Sequence, residues 1–213
     1  MLAMLSAASM VIGNLAALTQ RNVKRLLAYS AVAHAGYVLM ALVEGRSMAF
    51  SAVTFYAVTY AITALGAFGV VSLVEVGTGG SDWEHFRGLS RRAPGLALCF
   101  GIFVLSLAGI PPLAGFFGKF YLFLVAMTVG GGDYSLVWLV GLGAATTCVS
   151  FFYYLRLLKV VFVEAPEGEV GAWPKGGVEF GTVALTALGV VGIGCVPGWV
   201  LGPLQNALVA AGF

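Results

Sequence analysis

Charge is scarce in this chain. Only 9% of its 213 residues are Asp, Glu, Lys or Arg, too few to coat a water-soluble globule of that size, while 60% are hydrophobic and the mean hydropathy is +0.98. A net charge of +2 gives no basis for a nucleic-acid partner. Cysteine is equally thin. Cys99, Cys148 and Cys195 fall singly in separate apolar runs with no metal-ligand spacing, so they read as small buried hydrophobes and predict neither disulfide nor metal site. Nothing resembles a Ser-His-Asp, Cys-His or paired-carboxylate arrangement. Gly77, Gly79 and Gly80 precede no helix opening on Lys-Ser or Lys-Thr, which excludes a P-loop. A soluble catalytic domain is therefore not expected.

What the chain does have is long apolar runs, at 2–19, 26–43, 48–76, 95–129, 134–163 and 178–196. With about 20 residues needed per helical crossing, residues 1–213 read as a single domain of an all-α polytopic membrane protein with six transmembrane helices. Residues 1–19 carry no positive segment ahead of the apolar stretch, so they read as a first span and not a signal peptide. The basic residues set the orientation. Arg21, Lys24 and Arg25, then Arg87, Arg91 and Arg92, then Arg156, Lys159 and Lys175 fall in alternate loops, against Arg46 alone on the other side. Positive loops face the cytoplasm, which puts both termini on the non-cytoplasmic side. Trp138 and Trp199 at outer boundaries, and Trp83 and Trp173 in inner loops, fit interfacial anchoring.

The run at 95–129 is too long. As a straight helix it would extend about 52 Å, against a hydrocarbon core of about 30 Å. Pro111 and Pro112 remove two backbone donors, and Gly109 and Gly115 flank them, which predicts a discontinuous fourth helix broken near 109–115. Irregular backbone at membrane depth is tolerated only where protein or a wet cavity covers it. Lys119 follows the break. Its Cα lies roughly 16 Å from the outer end at Gly130 on a helical rise, beyond the roughly 6 Å that a lysine stem can reach by snorkelling. A buried intramembrane charge is costly and usually functional, although a lysine tied to the carbonyls freed at the break would be a purely structural alternative. Lysine suits proton handling because its ammonium can give up a proton when its surroundings change, whereas arginine stays charged. Moving one charge against about 150 mV costs roughly 3.5 kcal/mol, which sets how far the amine's proton affinity must swing.

Other polar residues share helical faces. Ser30, His34 and Tyr37 make one stripe in the second run, Tyr56, Tyr60 and Thr63 another in the third, and Tyr153 and Tyr154 lie in the fifth. They could line a water axis or simply pack and anchor. His34 could relay a proton or hydrogen-bond a neighbouring helix. Lys24 and Arg25 could take up protons or serve as ordinary positive flanks. Glu44, Glu75 and Glu179 all fall near span ends, which argues against a sodium site built from carboxylates.

The segments GNLAALTQRNVKRLLAYSAVAHAGYVLMAL, LSLAGIPPLAGFFGKFYLF and VSFFYYLRLLKVVF resemble the antiporter-like membrane subunits of proton-pumping NADH-quinone oxidoreductase, respiratory complex I, and most resemble subunit N. The likeness runs over residues 1–163. It implies two inverted five-helix repeats, each with one discontinuous helix, in a chain roughly twice this length. This sequence would be the second repeat plus a C-terminal helix, a C-terminal fragment of the whole. By the same resemblance Lys119 lies on a central hydrophilic axis leading outward, and His34 and Lys24 match residues of the same motif. M-type subunits have a glutamate at the Lys119 position, and L-type subunits have histidines and a lysine in the span where this chain has Tyr56 and Tyr60. The resemblance implies a non-redox, proton-translocating subunit in a bacterial inner membrane with no active site or cofactor of its own. NADH, FMN, iron-sulfur clusters and quinone belong elsewhere in the complex. Its partners would be other membrane subunits, the lipid bilayer, protons and internal water, and no nucleic acid. D-type subunits of multi-subunit sodium/proton antiporters share the broken-helix motif and are the alternative. A third reading makes this half only a helical scaffold.

Overall fold

The structure is a computed structural model that describes residues 1–43, 47–128, 136–166 and 177–210. Glu44, Arg46, Val129, Gly130, Tyr134, Trp173 and Lys175 lie outside the described residues. The described residues form helices α1 (Leu2–Leu18), α2 (Val23–Leu42), α3 (Ser47–Thr78), α4 (Trp83–Phe86), α5 (Leu89–Arg92), α6 (Pro94–Ala108), α7 (Ala114–Thr128), α8 (Val137–Phe162), α9 (Gly177–Cys195) and α10 (Gly198–Ala210).

Four of these, α2, α3, α8 and α9, are long and apolar enough to cross a bilayer unaided, while α1, α6 and α7 are shorter apolar helices. The run at 95–129 is not one helix: α6 ends at Ala108 and α7 begins at Ala114. Each of these two would rise about 22 Å, short of a hydrocarbon core of about 30 Å. α10 follows the last expected run and has no counterpart in the sequence reading. α2 starts before its apolar run because Asn22, with extended backbone, accepts a hydrogen bond from the Arg25 amide at 3.1 Å. This N-cap draws Lys24 and Arg25 into the first helical turn.

The polarity is inverted relative to a soluble protein. Leu65, Leu98, Leu185 and Leu188 are exposed on the outside, whereas Asn14, Ser30, His34, Thr59, Thr63, Ser106 and Lys119 are buried. Hydrocarbon does not penalise the former and would penalise the latter. Cys148 and Cys195 are exposed, contrary to the expectation from sequence, and only Cys99 is buried. An apolar run does not reveal which side of its helix faces outward. Trp83 is half-buried, packs against the core and carries the Arg156 guanidinium 4.7 Å from its ring centroid.

Two apolar clusters bracket the buried polar residues. One, toward the α1–α2 turn, contains Phe86, Phe100, Phe103 and Leu157. The other, toward the opposite end, contains Met10, Met40, Leu122 and Leu139. The segment 79–88 closes the turn end. Val23 donates to the Ser81 carbonyl at 2.8 Å, Trp83 to that of Arg21 at 3.0 Å, and Gly88 to that of Val160 at 3.1 Å.

Candidate functional site

The end of α6 creates the site. An α-helix leaves its last four carbonyls without intrahelical partners, here those of Leu105, Ser106, Leu107 and Ala108. Gly109 adopts φ +88°, which lets the chain fold back. The Ile110 amide then reaches the Leu105 carbonyl at 3.1 Å and the Gly109 amide that of Ser106 at 3.0 Å, a Schellman closure. Two carbonyls remain. Lys119, on the second turn of α7, donates from Nζ to Leu107 at 2.9 Å and to Ala108 at 3.4 Å. The lysine thus sits at the negative end of the α6 dipole and completes its hydrogen bonding.

α7 is tied to α6 from the other direction. Its Gly115 amide, one of the orphan donors of a helix start, donates to Ser106 Oγ at 3.1 Å, and Ser106 Oγ lies 3.4 Å from Thr63 Oγ1 on α3. Only glycine fits at 115, since a Cβ there would lie well inside contact with the Ser106 carbonyl oxygen. Pro111 and Pro112, joined by a cis bond, occupy the exposed link between the two helices and do not line the cavity.

Lys119 is 4% exposed and His34 is also 4% exposed. Both line a cavity together with Tyr56, Thr59, Tyr60, Thr63, Ser106, Leu107 and Gly115. Measured for the centre of a water molecule the cavity is about 10 Å³, room for about one water among polar partners. His34 Nδ1 shares a hydrogen bond with the Tyr56 hydroxyl, and its ring lies 4.8 Å from that of Tyr60. His34, Tyr56 and Tyr60 also line a groove of about 400 Å³ between α2 and α3. The imidazole therefore stands between the groove and the cavity that holds the amine.

Tyr37 lies beneath the lysine, its ring centroid 5.4 Å from Nζ, within the range of a cation–π contact. Its hydroxyl turns away, toward Thr146 and Thr147 on α8, each at 3.3 Å. Ser30, Tyr153 and Tyr154 are not at the cavity. They form a separate cluster in which Ser30 Oγ lies 2.6 Å from the Tyr154 hydroxyl and 3.3 Å from that of Tyr153. Lys24 is apart from both, in a 3.0 Å ion pair with Glu75 whose side chains are 56% and 40% exposed. Reading by helical faces misses Ser106, Thr59, Asn14, Thr146 and Thr147. The only available signal was a small polar side chain inside an apolar run, and most such residues bond their own helix, as Thr59 does to Phe55 at 3.0 Å. Among the described residues no group of His, Cys, Asp and Glu could hold a metal ion.

A helix interrupted within an apolar bundle is an architecture found in polytopic membrane proteins with discontinuous helices. The chain belongs to the NADH:quinone oxidoreductase/Mrp antiporter transmembrane family, whose model matches residues 1–150. Within that family the likeness is to subunit N: the chain is 43% identical over 209 residues to NADH-quinone oxidoreductase subunit N 2 of Herpetosiphon aurantiacus, covering 98% of this chain and 38% of that protein. It superposes on a chain of respiratory complex I from Thermus thermophilus with bound aureothin at a TM-score of 0.80 and 39% identity, over 95% of this chain and 45% of that one. The Mrp complex from Dietzia sp. DQ12-45-1b matches at a TM-score of 0.85 and 19% identity, over 97% of this chain and 46% of that one, which is a likeness of fold. The chain spans about two fifths of the length of the curated relatives it matches.

Proposed function

We propose that this chain is part of a proton-translocating membrane subunit of an NADH-quinone oxidoreductase, in which Lys119 takes up and releases protons through the cavity it shares with His34. One observation carries the reading: a buried amine held by the end of one half-helix borders a cavity sized for about one water, with His34, Thr63 and Ser106 among the residues that line it. The Lys119 ammonium satisfies the Leu107 and Ala108 carbonyls only while its hydrogens point at them. Any change in the gap between α6 and α7 therefore changes the stability of the charged form. Lys24, paired with Glu75, stands where protons would enter.

On this reading α6 and α7 together make one discontinuous span. The spans then number six, a five-helix repeat closed by α9, with both termini on the non-cytoplasmic side of a bacterial inner membrane. Redox chemistry in other subunits drives the movement, and NADH, FMN, iron-sulfur clusters and quinone are bound there and not by this chain. A sodium/proton antiporter D-type subunit is the rival, with fold likeness at 19% identity behind it against 43% sequence identity for subunit N.

The test is the full-length subunit in its complex with Lys119→Ala and Lys119→Arg, read as protons moved per electron in sealed vesicles. Arginine keeps a cation on the carbonyls but does not release protons. Both variants should lower the ratio while leaving quinone reduction assembled. An unchanged ratio in Lys119→Arg would leave the lysine a structural cap only.

A further inference from the structure

One amide separates the hydroxyl cluster at Ser30 from the ring beneath Lys119. Asn14, on α1, is 1% exposed. Its Oδ1 accepts from the Tyr153 hydroxyl at 3.2 Å, and its Nδ2 donates to the Met10 carbonyl at 2.8 Å and to the Tyr37 hydroxyl oxygen at 3.4 Å. On one side lie Tyr153, Ser30 and Tyr154, linked hydroxyl to hydroxyl. On the other lie Tyr37, Thr146 and Thr147. Ser30 and Tyr37 stand about 10 Å apart in depth along α2. Among the described residues Asn14 is the hydrogen-bonded link between the two groups.

A hydroxyl passes protons because it accepts and donates at one oxygen, whereas a carboxamide accepts at oxygen and donates at nitrogen. The hydrogens here can be assigned. Thr146 donates to its own helix at Leu142, 2.9 Å away, and Thr147 has two acceptors, the Gly143 carbonyl at 2.8 Å and the Tyr37 oxygen at 3.3 Å. The single Tyr37 hydrogen therefore turns to the Thr146 oxygen, 3.3 Å away, and the Tyr37 oxygen accepts from Asn14. For a proton to cross, the Tyr153 O–H bond would break and Oδ1 would gain the hydrogen. An Nδ2–H bond would then break, with that hydrogen going to the Tyr37 oxygen. The amide would be left as its imidic acid, which must move a hydrogen from oxygen back to nitrogen before the next transfer. The remaining neighbour of Nδ2, the Met10 carbonyl, has no hydrogen to lend.

We infer that Asn14 is a proton stop: it holds α1, α2 and α8 together through hydrogen bonds while keeping the tyrosine cluster at Ser30 from passing protons to Tyr37 and Lys119. Protons then reach Lys119 through the His34 and Ser106 cavity and not along α8. This rests on the proton-translocating reading of Lys119, because a transporter must never join its two sides by a continuous relay.

The test is passive. Sealed vesicles containing the complex with the full-length subunit are given a pH gradient and no redox substrate, and its decay is followed with a pH-sensitive dye. Asn14→Asp, which accepts and releases a proton on the same group, should leak several-fold faster than wild type. Asn14→Leu should leak no faster, and Asn14→Asp with Tyr153→Phe should return to the wild-type rate. An assembled Asn14→Asp complex as tight as wild type, or an Asn14→Leu complex that leaks equally, overturns the inference. Should Asn14→Asp fail to assemble, Asn14→Glu carries the same carboxyl group and the same two outcomes. Protons per electron in Lys119→Ala vesicles are read alongside. A tight Asn14→Asp with a lowered Lys119→Ala ratio removes the stop alone, and a leaking Asn14→Asp with an unchanged Lys119→Ala ratio removes the Lys119 reading alone.

Discussion

Substituting Gly115 by alanine adds a single methyl group at the junction of the two half-helices. That methyl would lie well inside contact with the Ser106 carbonyl oxygen, 2.7 Å from its carbonyl carbon and 2.9 Å from Oγ. Ser106 belongs to the α6 backbone and cannot swing aside, so α6 and α7 must separate. Overpacking of this kind costs about 1–3 kcal/mol. The displaced Ser106 Oγ gives up its hydrogen bond to the Gly115 amide, a helix-start contact worth about 1 kcal/mol. Against these stands the better helix propensity of alanine, also about 1 kcal/mol. The net expectation is a loss of about 1–3 kcal/mol, concentrated where Lys119 grips Leu107 and Ala108. Gly141→Ala on α8 is the control, because nothing lies within 4 Å of a Cβ there and only the propensity gain applies. Thermal inactivation of the complex and protons moved per electron should both fall for Gly115→Ala and hold for Gly141→Ala. A Gly115→Ala complex with wild-type heat resistance and an unchanged ratio refutes the close approach of α6 and α7 as the basis of the site.

Tyr56→Phe removes the hydroxyl bonded to His34 Nδ1 while keeping the ring, so the fold should hold and proton transfer should slow, at a cost of about 1–3 kcal/mol for the unpaired buried nitrogen; vesicle pumping rates against detergent-extract stability separate the two effects. Gly36→Val should prevent α1 from seating on α2, since a Cβ at this position meets Met10 at 2.7 Å and the Ser6 carbonyl at 2.9 Å and disturbs the 2.7 Å bond from Ser6 Oγ to the Gly36 carbonyl. Loss of the assembled subunit from membranes on immunoblots is the expected readout.

The residues that break the helix were legible from their chemistry. Gly109, Pro111 and Pro112 together weaken any continuation of α6, and Lys119, too far from the outer end of its run to reach that surface, was expected to be enclosed. The face of α2 bearing Ser30, His34 and Tyr37 was equally fixed by helical spacing. The fate of each residue on that face was not, for Ser30 turns to Tyr154, 124 positions away in the chain, His34 to Tyr56, and Tyr37 to Asn14, Thr146 and Thr147.

Sequence by itself determined the apolar helices and the interruption between α6 and α7, because backbone hydrogen bonding is a local property that a low-dielectric surrounding enforces. Only the tertiary structure decided that the amine closes the end of α6, that Ser106 holds the start of α7, that Cys148 and Cys195 face outward, and that one asparagine divides two hydroxyl clusters. Each of these depends on which helix lies opposite, and periodicity along one helix defines its faces without naming the neighbour that will cover them.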